Sequence, residues 1–370
     1  MAATITQALP TISFTENLPN IIVSEVAAIA YLSVEISGKA IVTGIVLTPN
    51  PNRQIKIYTR QLVRHIETLA GPWTISVFLP QLTIRLEIDG ETLLQTCKLI
   101  PGGVAGNAPD LSDFLAKNFL TWQPQIIETT PEQPQFIAYI KSDNYTKTEI
   151  HSTLVATNGD TYTKMIDSLA SPLIFAQIDT SFPKLWMEFC TDNKLIPVSY
   201  DVFGKSYRPA NTTPEILPFA QRYLVRPPKH NDTCFGFINT LGGFDTLMAQ
   251  GQIILKPDGE NETFTNDGVE TELTNGYRSF WEASTGSIDT KRTAAQFQDF
   301  LKSTNRWIFI DGGWRRIIVD EYKVEHTPLE LNSYTFKYHM AEKDERRLFT
   351  RGELPAPELP TEYWENHMKF

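Results

Sequence analysis

The stretch CFGFINTLGGFDTLMAQGQ, Cys234 to Gln252, places two apolar runs on either side of a glycine pair. Strand patterns on both sides of Gly242 and Gly243 predict a hairpin, because glycine accepts the positive φ angles that tight turns require. A phosphate-binding loop would need a G-x-x-x-x-G-K-[ST] or G-x-G-x-x-G spacing between a strand and a helix. The stretch has neither, so we interpret the pair as a structural turn.

A second glycine pair follows the same plan. In RWIFIDGGWRRIIV, Arg306 to Val319, Asp311-Gly312-Gly313 separates two strand patterns. An Asp-Gly step between apolar strands is among the strongest hairpin signals in a sequence. We therefore expect Gly312 and Gly313 to form a second structural turn.

The composition is that of a folded protein. The 370 residues are 41% hydrophobic and 21% charged, enough for two or three domains with large cores. The net charge of −10 and the lack of a long basic run disfavour a nucleic-acid groove. The N-terminal sequence does not resemble a signal peptide, and no run reaches the ~18 apolar residues of a membrane helix. Three well-separated cysteines, Cys97, Cys190 and Cys234, are expected to be free thiols in a reducing cytosol.

Strand signals dominate the chain. AYLSVEI (30–36), QIKIYTR (54–60) and LTIRLEI (82–88) alternate apolar and polar residues, as half-buried strands do. Helical periodicity is confined to three segments, 60–70, 110–120 and 293–303. The fold class is therefore expected to be mainly β, a multi-domain β-sandwich architecture with a few short helices.

Changes in composition predict the domain organisation. The segment 123–134 contains prolines and has no core pattern, which is typical of a linker, and the tail from 352 is rich in proline without any period. We expect an N-terminal β-sandwich-like domain (1–122), the linker (123–134), a second β-rich domain (135–225), a C-terminal β-rich domain with the glycine-pair hairpins (226–351) and an extended arm (352–370).

Motifs of catalysis and metal binding are missing from the sequence. It contains no H-E-x-x-H and no G-x-S-x-G, and its six histidines are not spaced like ligands on one element. The acidic loop Asp258–Glu262, with Asp267, faintly suggests calcium but lacks the EF-hand register, so a solvated hairpin tip is favoured. We predict no catalytic residue, no cofactor-binding residue, no cofactor and no metal site.

Aromatic residues in the C-terminal half allow two interpretations. They could form a platform on which a sugar stacks, or they could belong to cores and interfaces, which strand patterns favour. The residues concerned are Trp281, Trp307, Trp314, Tyr322 and Tyr334.

Several segments resemble tail structural proteins of Bacteroidetes phages and prophages. In that family, a strand ending in aromatic-x-aromatic-x-Asn runs into a glycine-rich turn and an aromatic-acid-Thr strand. The matching residues are Phe235, Phe237, Asn239, Gly242, Gly243, Phe244, Asp245 and Thr246. IKIYTRQLVRHI, CKLIPGG and DFLAKNFLTWQP are similar to the family in the same order, and the final strands resemble those of distal-tail and baseplate proteins.

This resemblance implies a virion building block without catalysis. It implies a homo-oligomeric ring or hub at a tail, assembled with other virion proteins in the bacterial host cytoplasm. The charge balance and the lack of a long apolar run predict neither nucleic acid nor a membrane as a partner. In the arm, Tyr363, Trp364 and Phe370 are expected to anchor on a neighbouring subunit or partner in the assembly. The alternative is a tail folded back on its own core. A carbohydrate-binding or adhesin-type surface module is the alternative function, and a glycoside hydrolase acting through paired carboxylates is a third, less favoured one.

Overall fold

The structure, a computed structural model, is mainly β and has a multi-domain, β-sandwich-like architecture. Its described part contains five sheets and four short helices. The structure describes residues 3–63, 71–72, 76–104, 111–142, 144–170, 174–209, 213–266, 269–288, 290–324 and 332–341. The helices are α1 (Thr59–Leu62), α2 (Leu111–Lys117), α3 (Glu188–Asp192) and α4 (Lys291–Lys302).

The first region is a two-sheet sandwich with one extra strand. Its strands are β1 (Thr4–Gln7), β2 (Ile12–Phe14), β3 (Ile21–Ser24), β4 (Ala30–Ile36), β5 (Lys39–Leu47), β6 (Ile55–Ile57), β7 (Ser76–Phe78), β8 (Gln81–Ile88) and β9 (Glu91–Ile100). One sheet has the order β1-β3-β6 and the other β2-β9-β8-β4-β5. The alternation predicted for 82–88 is confirmed, because every second residue from Leu82 to Ile88 is buried. These residues build the core between the two sheets.

Two predicted elements of this region come out differently. The strand expected over 54–60 is limited to β6, and helix α1 begins at Thr59. Thr59 is buried, and its hydroxyl donates to the carbonyl of Pro19, which fixes the chain where the strand ends. The remainder of the helix expected over 60–70 lies outside the described residues from 64 onward.

The middle region holds a five-stranded and a three-stranded sheet. Its strands are β10 (Ile126–Thr129), β11 (Phe136–Ile140), β12 (Lys147–Ala156), β13 (Thr161–Leu169), β14 (Ile174–Asp179), β15 (Pro197–Tyr207) and β16 (Glu215–Val225). The larger sheet has the order β10-β16-β15-β12-β13 and the smaller one β11-β14-β7. Strand β7, which comes from the first region, therefore completes a sheet of the middle region.

The segment predicted as a linker, 123–134, is in part regular structure. Its strand β10 pairs in parallel with β16, and Gln123 and Gln133 are buried. The segment therefore contains a strand and buried glutamines, which its lack of an apolar core pattern does not predict. Apolar periodicity cannot reveal a buried polar residue such as Gln123, whose Nε2 donates to the carbonyl of Thr246. The boundaries of the domains themselves stay a prediction.

The last region is a seven-stranded sheet with one helix against it. Its strands are β17 (Thr233–Ile238), β18 (Phe244–Ala249), β19 (Ile253–Asn266), β20 (Val269–Ser284), β21 (Arg306–Ile310), β22 (Gly313–Lys323) and β23 (Thr335–Met340), in the order β18-β17-β21-β22-β23-β20-β19. Helix α4 begins after Thr290, whose hydroxyl accepts from the backbone N–H of Thr293 (3.1 Å). Its Phe297 and Phe300 pack against the aromatic core of the sheet.

One hydrophobic core is shared by all three regions. Phe14 of the first region, Phe136 of the middle region and Phe244 of the last region belong to the same buried cluster. The rings of Phe136 and Phe244 meet edge to face with centroids 5.3 Å apart, a favoured aromatic geometry. The Gly242-Gly243 turn lies beside this cluster, since Leu241 also belongs to it.

None of the helices in the described ranges is both long and apolar enough to span a membrane.

Candidate functional site

The Gly242-Gly243 pair lies in the connection between the antiparallel strands β17 and β18. The last paired residues of these strands are Ile238 and Phe244. The backbone N–H of Asn239 donates to the carbonyl of Gly243 (2.8 Å), and that of Gly242 donates to the carbonyl of Asn239 (2.9 Å). Gly242 has a φ of +80°, which residues with a side chain rarely adopt. The connection thus runs from strand to strand in a tight, internally bonded turn.

The side chain of Asn239 holds the turn and attaches it to the segment after α2. Its Oδ1 accepts from the backbone N–H groups of Leu241 (2.9 Å) and Gly243 (3.0 Å). Its Nδ2 donates to the carbonyl of Leu120 (2.9 Å). Asn239 is buried, so its amide satisfies backbone groups that solvent does not reach.

Three glycines let the turn approach other backbones closely. A β-carbon on Gly242 would stand 2.1 Å from the carbonyl oxygen of Pro101, and one on Gly243 would stand 2.2 Å from that of Leu120. Across the contact, a β-carbon on Gly102 would stand 2.3 Å from the carbonyl oxygen of Thr240. The glycine pair is therefore also a packing surface. Sequence reasoning considered only the turn, because the contacts of Gly242 and Gly243 join segments more than 100 residues apart.

Asp245 follows the turn and is buried with 1% of its surface exposed. Its Oδ1 accepts from the hydroxyl of Thr121 (2.7 Å), and its Oδ2 accepts from the backbone N–H of Trp122 (3.1 Å). Burial, with a smaller contribution from the nearby carboxyl of Asp299, raises the pKa of this carboxyl to about 7, although its hydrogen bonds act in the opposite direction. The residue couples the last region to the segment that enters the middle region.

Helix α4 joins the same network through Asp299. The Oδ2 of Asp299 accepts from the backbone N–H of Thr240 (3.0 Å), and burial raises its pKa. The hydroxyl of Thr240 accepts from the indole N–H of Trp122 (2.7 Å), while its carbonyl accepts from the N–H of Gly103 (2.7 Å). The turn therefore touches the first region, the segment 120–122 and α4.

A cleft of about 660 Å³ opens beside this junction. Arg60 of the first region and Lys302 of α4 line it together with the acids Glu16 and Asp299. The guanidinium Nε of Arg60 donates to the carbonyl of Leu18 (3.2 Å). Asp299 and Arg60 are thus each engaged with backbone atoms of a neighbouring segment, an arrangement that stabilises the junction.

The second glycine pair lies at a two-residue turn between β21 and β22. The flanking residues Ile310 and Gly313 pair with each other, so the turn consists of Asp311 (φ +52°) and Gly312 (φ +74°). Two successive positive φ angles are typical of a type I′ turn, which matches the twist of the strands. Gly313 is the first residue of β22 rather than part of the turn. A β-carbon on Gly312 would meet no atom within 4 Å, so this turn is open to solvent.

Strand β5 forms an edge of the larger sheet of the first region and is exposed along most of its nine residues. It pairs with β4 on one side, and no described strand pairs with its other side. Exposed apolar side chains line this edge and the adjacent position on β4. They are Tyr31 (51%), Ile41 (48%), Ile45 (46%) and Val46 (54%).

The five aromatic residues that could have formed a sugar-stacking platform do not form a shared exposed surface. Trp307 and Tyr334 are buried, and Trp314 packs edge to face on Phe244 in the shared core. Trp281 stacks on Tyr338 with ring centroids 5.9 Å apart. The core interpretation is confirmed for these residues, and Tyr322 alone among the five is mostly exposed.

The titratable residues singled out in the sequence are dispersed. His151 bonds to Glu149 (3.0 Å) and His339 to Asp320 (2.7 Å), on different sheets. Within the described ranges, no group of three His, Cys, Asp or Glu residues is arranged to hold a metal. The side chains of the acidic loop 258–267 lie outside the described part, as do His65 and His326.

The three cysteines lie within the described residues, whereas the C-terminal arm does not. Cys97, Cys190 and Cys234 are free and buried, which confirms the prediction of unpaired thiols. The anchors Tyr363, Trp364 and Phe370 lie outside the described residues, as does the whole arm 352–370. Their role stays a prediction.

Comparisons with known proteins give no family. No family model matches the chain, and no curated protein matches it. Among solved structures, the bacterial integrin-binding protein invasin aligns over 76% of this chain at 9% identity, with a TM-score of 0.24. The match spans 56% of the length of the invasin chain. A likeness at this TM-score carries no argument about fold or function.

Proposed function

We propose that this protein is a non-enzymatic structural subunit of a phage tail or tail-like particle. Copies of it assemble into a ring or hub in the cytoplasm of a bacterial host and contact other virion proteins there. The proposal rests on the sequence resemblance around the Gly242-Gly243 turn and on one observation in the structure. That observation is the exposed edge strand β5.

Strand β5 combines two properties that soluble monomers usually avoid in combination. It is a nine-residue sheet edge on whose outer side no described strand pairs, and it exposes Ile41, Ile45 and Val46. Proteins blunt such edges with charges, prolines, short strands or bulges, because an open edge pairs with another chain. Here Gly44, at φ +66°, and register shifts against β4 interrupt the edge, yet its apolar residues stay exposed. We infer that a neighbouring copy covers it.

The buried junction between the regions supports a role in which the subunit holds its neighbours in place rather than catalysing a reaction. The buried carboxylates of Asp245 and Asp299 are engaged with hydroxyl and backbone N–H groups of other segments. The first, middle and last regions share one core. A ring subunit contacts a different patch on each of its two neighbours, so its faces must keep a fixed relation.

The experiment measures assembly directly. The purified protein is sized by light scattering over a hundredfold range of concentration and imaged by negative-stain electron microscopy. We expect a closed oligomer for the wild type. The double variant Ile41→Lys/Val46→Lys, which places charges on the edge, should weaken association at least tenfold.

A matched control separates this edge from exposed apolar residues in general. Ile216→Lys changes a residue that is 65% exposed on β16, in the sheet of the middle region. It should leave the oligomer unchanged. A wild type that is monomeric throughout, or a control that dissociates as much as the edge variant, would contradict the proposal.

A further inference from the structure

A polar cavity of about 290 Å³ lies between β10, β18 and the first turns of α4. It is separate from the Gly242-Gly243 junction and from strand β5, and the proposed assembly role leaves it unexplained. Its wall is rich in amides and hydroxyls. They include those of Thr246, Ser287, Thr290, Thr293 and Gln296.

Glutamine side chains bond to part of the free edge of β18, beside the cavity. Strand β18 is at the edge of its sheet. The carbonyl of Thr246 in this strand accepts from the Nε2 atoms of Gln296 (2.9 Å) and Gln123 (3.2 Å). The backbone is thereby satisfied while space remains between β18 and β10. Because the space is bounded by polar groups, it suits a hydrogen-bonding occupant.

Groups on the wall remain available to such an occupant. Gln296 is only 4% exposed, and its Nε2 is used by Thr246. Its Oε1 has no hydrogen-bond partner within the described part of the chain, although the residue lines the cavity. The hydroxyls of Thr290 and Thr293 bond to each other (2.7 Å), which leaves one hydroxyl proton of the pair to donate, and the exposed Ser287 adds another hydroxyl. A carbonyl and a few hydroxyls therefore line the same space.

The charge and apolar content of the wall narrow the class of ligand. Among the lining residues that the structure describes, Glu128 alone is charged, and it accepts from the guanidinium of Arg226 (2.8 Å). A charged ligand would find no free counter-ion on this wall, and burying it would be costly. Ile126, which is 56% exposed, and Met248 add apolar contact.

We propose that this cavity binds a neutral polyhydroxylated ligand, namely a single sugar ring. The side-chain carbonyl of Gln296 and the hydroxyls of Ser287, Thr290 and Thr293 pair with the ring hydroxyls, while Gln135, Thr246 and Thr285 are bonded within the wall. Ile126 contacts the apolar C–H face. The volume is near the lower end of the roughly 300–1,000 Å³ that small-molecule sites span, which fits one ring rather than a chain. The site goes beyond the assembly role, and it is present whether the protein is a monomer or a ring.

The binding test uses saturation-transfer NMR on the full chain. The probes are glucose, galactose, mannose and N-acetylglucosamine, with glucuronate and glucosamine as charged counterparts. We expect saturation transfer from at least one neutral sugar and none from the charged ones. The absence of transfer from all four neutral sugars, or equal transfer from the charged ones, overturns the proposal.

Two variants locate the binding. Thr293→Tyr places a ring in the cavity from a partly exposed position, and Arg292→Tyr adds the same ring at the exposed neighbouring position. The first should weaken binding at least tenfold, and the second should bind like the wild type. Equal binding by both overturns the proposal. If Thr293→Tyr melts earlier than its control, Ser287→Trp at the exposed side of the cavity replaces it. This variant should also weaken sugar binding at least tenfold, and unchanged binding would overturn the proposal.

These outcomes are distinguishable from those of the assembly experiment. Sugar binding is measured by transfer to the ligand, and its variants lie on α4 and the segment before it. A protein that proves monomeric but binds a neutral sugar would refute the assembly role alone. A ring that binds none of the sugars would refute the cavity proposal alone.

Discussion

The carboxylate of Asp245 accepts a 2.7 Å hydrogen bond from the hydroxyl of Thr121, a residue 124 positions earlier in the chain. This contact ties the strand after the Gly242-Gly243 turn to the segment that enters the middle region. No described basic side chain forms an ion pair with Asp245. Its hydrogen bonds come from neutral groups, and burial raises its pKa to about 7. The junction is therefore expected to respond to pH.

The first prediction concerns the pH dependence of stability. The pKa of Asp245 is higher in the folded chain than its ordinary value of 3.8, so the folded state binds more protons between pH 4 and pH 7. The free energy of unfolding should therefore decrease as the pH rises through this window and level off above it. Asp245→Asn should remove this dependence, because a neutral amide can accept from Trp122 and donate to Thr121.

Urea unfolding at pH 4.5 and pH 8 measures the effect. The variant should be more stable than the wild type at pH 8, by at most about 4 kcal/mol, and close to it at pH 4.5. Glu132→Gln, at an exposed position, is the control and should follow the wild type at both values. An Asp245→Asn variant that loses stability equally at both pH values would mean that Asp245 is already ionised in the native state at pH 4.5, which would contradict a raised pKa.

The second prediction contrasts the two glycine turns. Gly243→Ala forces a β-carbon against the carbonyl of Leu120, with Ala138 3.0 Å away on the other side. Gly312→Ala creates no close contact, so its only cost in stability is the strain of an alanine at positive φ. We expect a loss of about 3 kcal/mol for Gly243→Ala and about 1 kcal/mol for Gly312→Ala, measured by urea unfolding. Equal losses would show that the Gly243 contact relaxes freely.

The sequence predicts the local structure of these turns and not their packing. Alternating apolar residues define β8, and the Asp311-Gly312 step suffices for a two-residue turn, because both depend on near neighbours in the chain. The approach of Gly243 to Leu120 depends on how segments far apart in the chain pack together. A glycine pair looks the same in the sequence whether its turn is packed against another backbone or open to solvent. Its neighbour Asp245 looks like an ordinary polar strand residue until burial is known.

Buried polar residues explain the remaining differences. The sequence does not predict strand β10, because the residues around it include Gln123, Gln133 and Gln135. These glutamines are buried, whereas a hydropathy pattern assigns glutamine to the surface. The polar cavity has no recognisable sequence signature for the same reason. Its lining comes from separate segments, and neutral amides at irregular spacing match no binding motif.

The third prediction concerns thiol reactivity. Burial raises the pKa of Cys97 and of Cys234 to about 12, and it also raises the pKa of Cys190. The thiolate is the reactive form, so the native protein at pH 8 should be alkylated very slowly. Intact mass after iodoacetamide treatment should show no adduct in the native protein and three in unreduced denaturant. Fewer than three adducts after denaturation would reveal a disulfide, and rapid native labelling would show that a thiol is accessible.

The last prediction concerns the connection between the middle and last regions. Arg226 donates to Asp232 through both terminal nitrogens (2.7 and 2.8 Å) and to Glu128 through Nε (2.8 Å). The side chains of Arg226 and Asp232 are only 14% and 7% exposed. Lysine carries the charge but cannot form this planar fork, so Arg226→Lys leaves the carboxylate of Asp232 incompletely bonded in a site with little water.

We expect Arg226→Lys to lower the free energy of unfolding by about 2 kcal/mol, a typical value for losing charged hydrogen bonds in a shielded site. Arg208→Lys is the matched control, since the pair of Arg208 with Glu215 is also bidentate but about half exposed. It should cost no more than about 1 kcal/mol. Thermal melting and urea unfolding of both variants check the difference. If the two substitutions cost the same, the pair of Arg226 with Asp232 is as hydrated as a surface ion pair and does not fix the connection between β16 and β17.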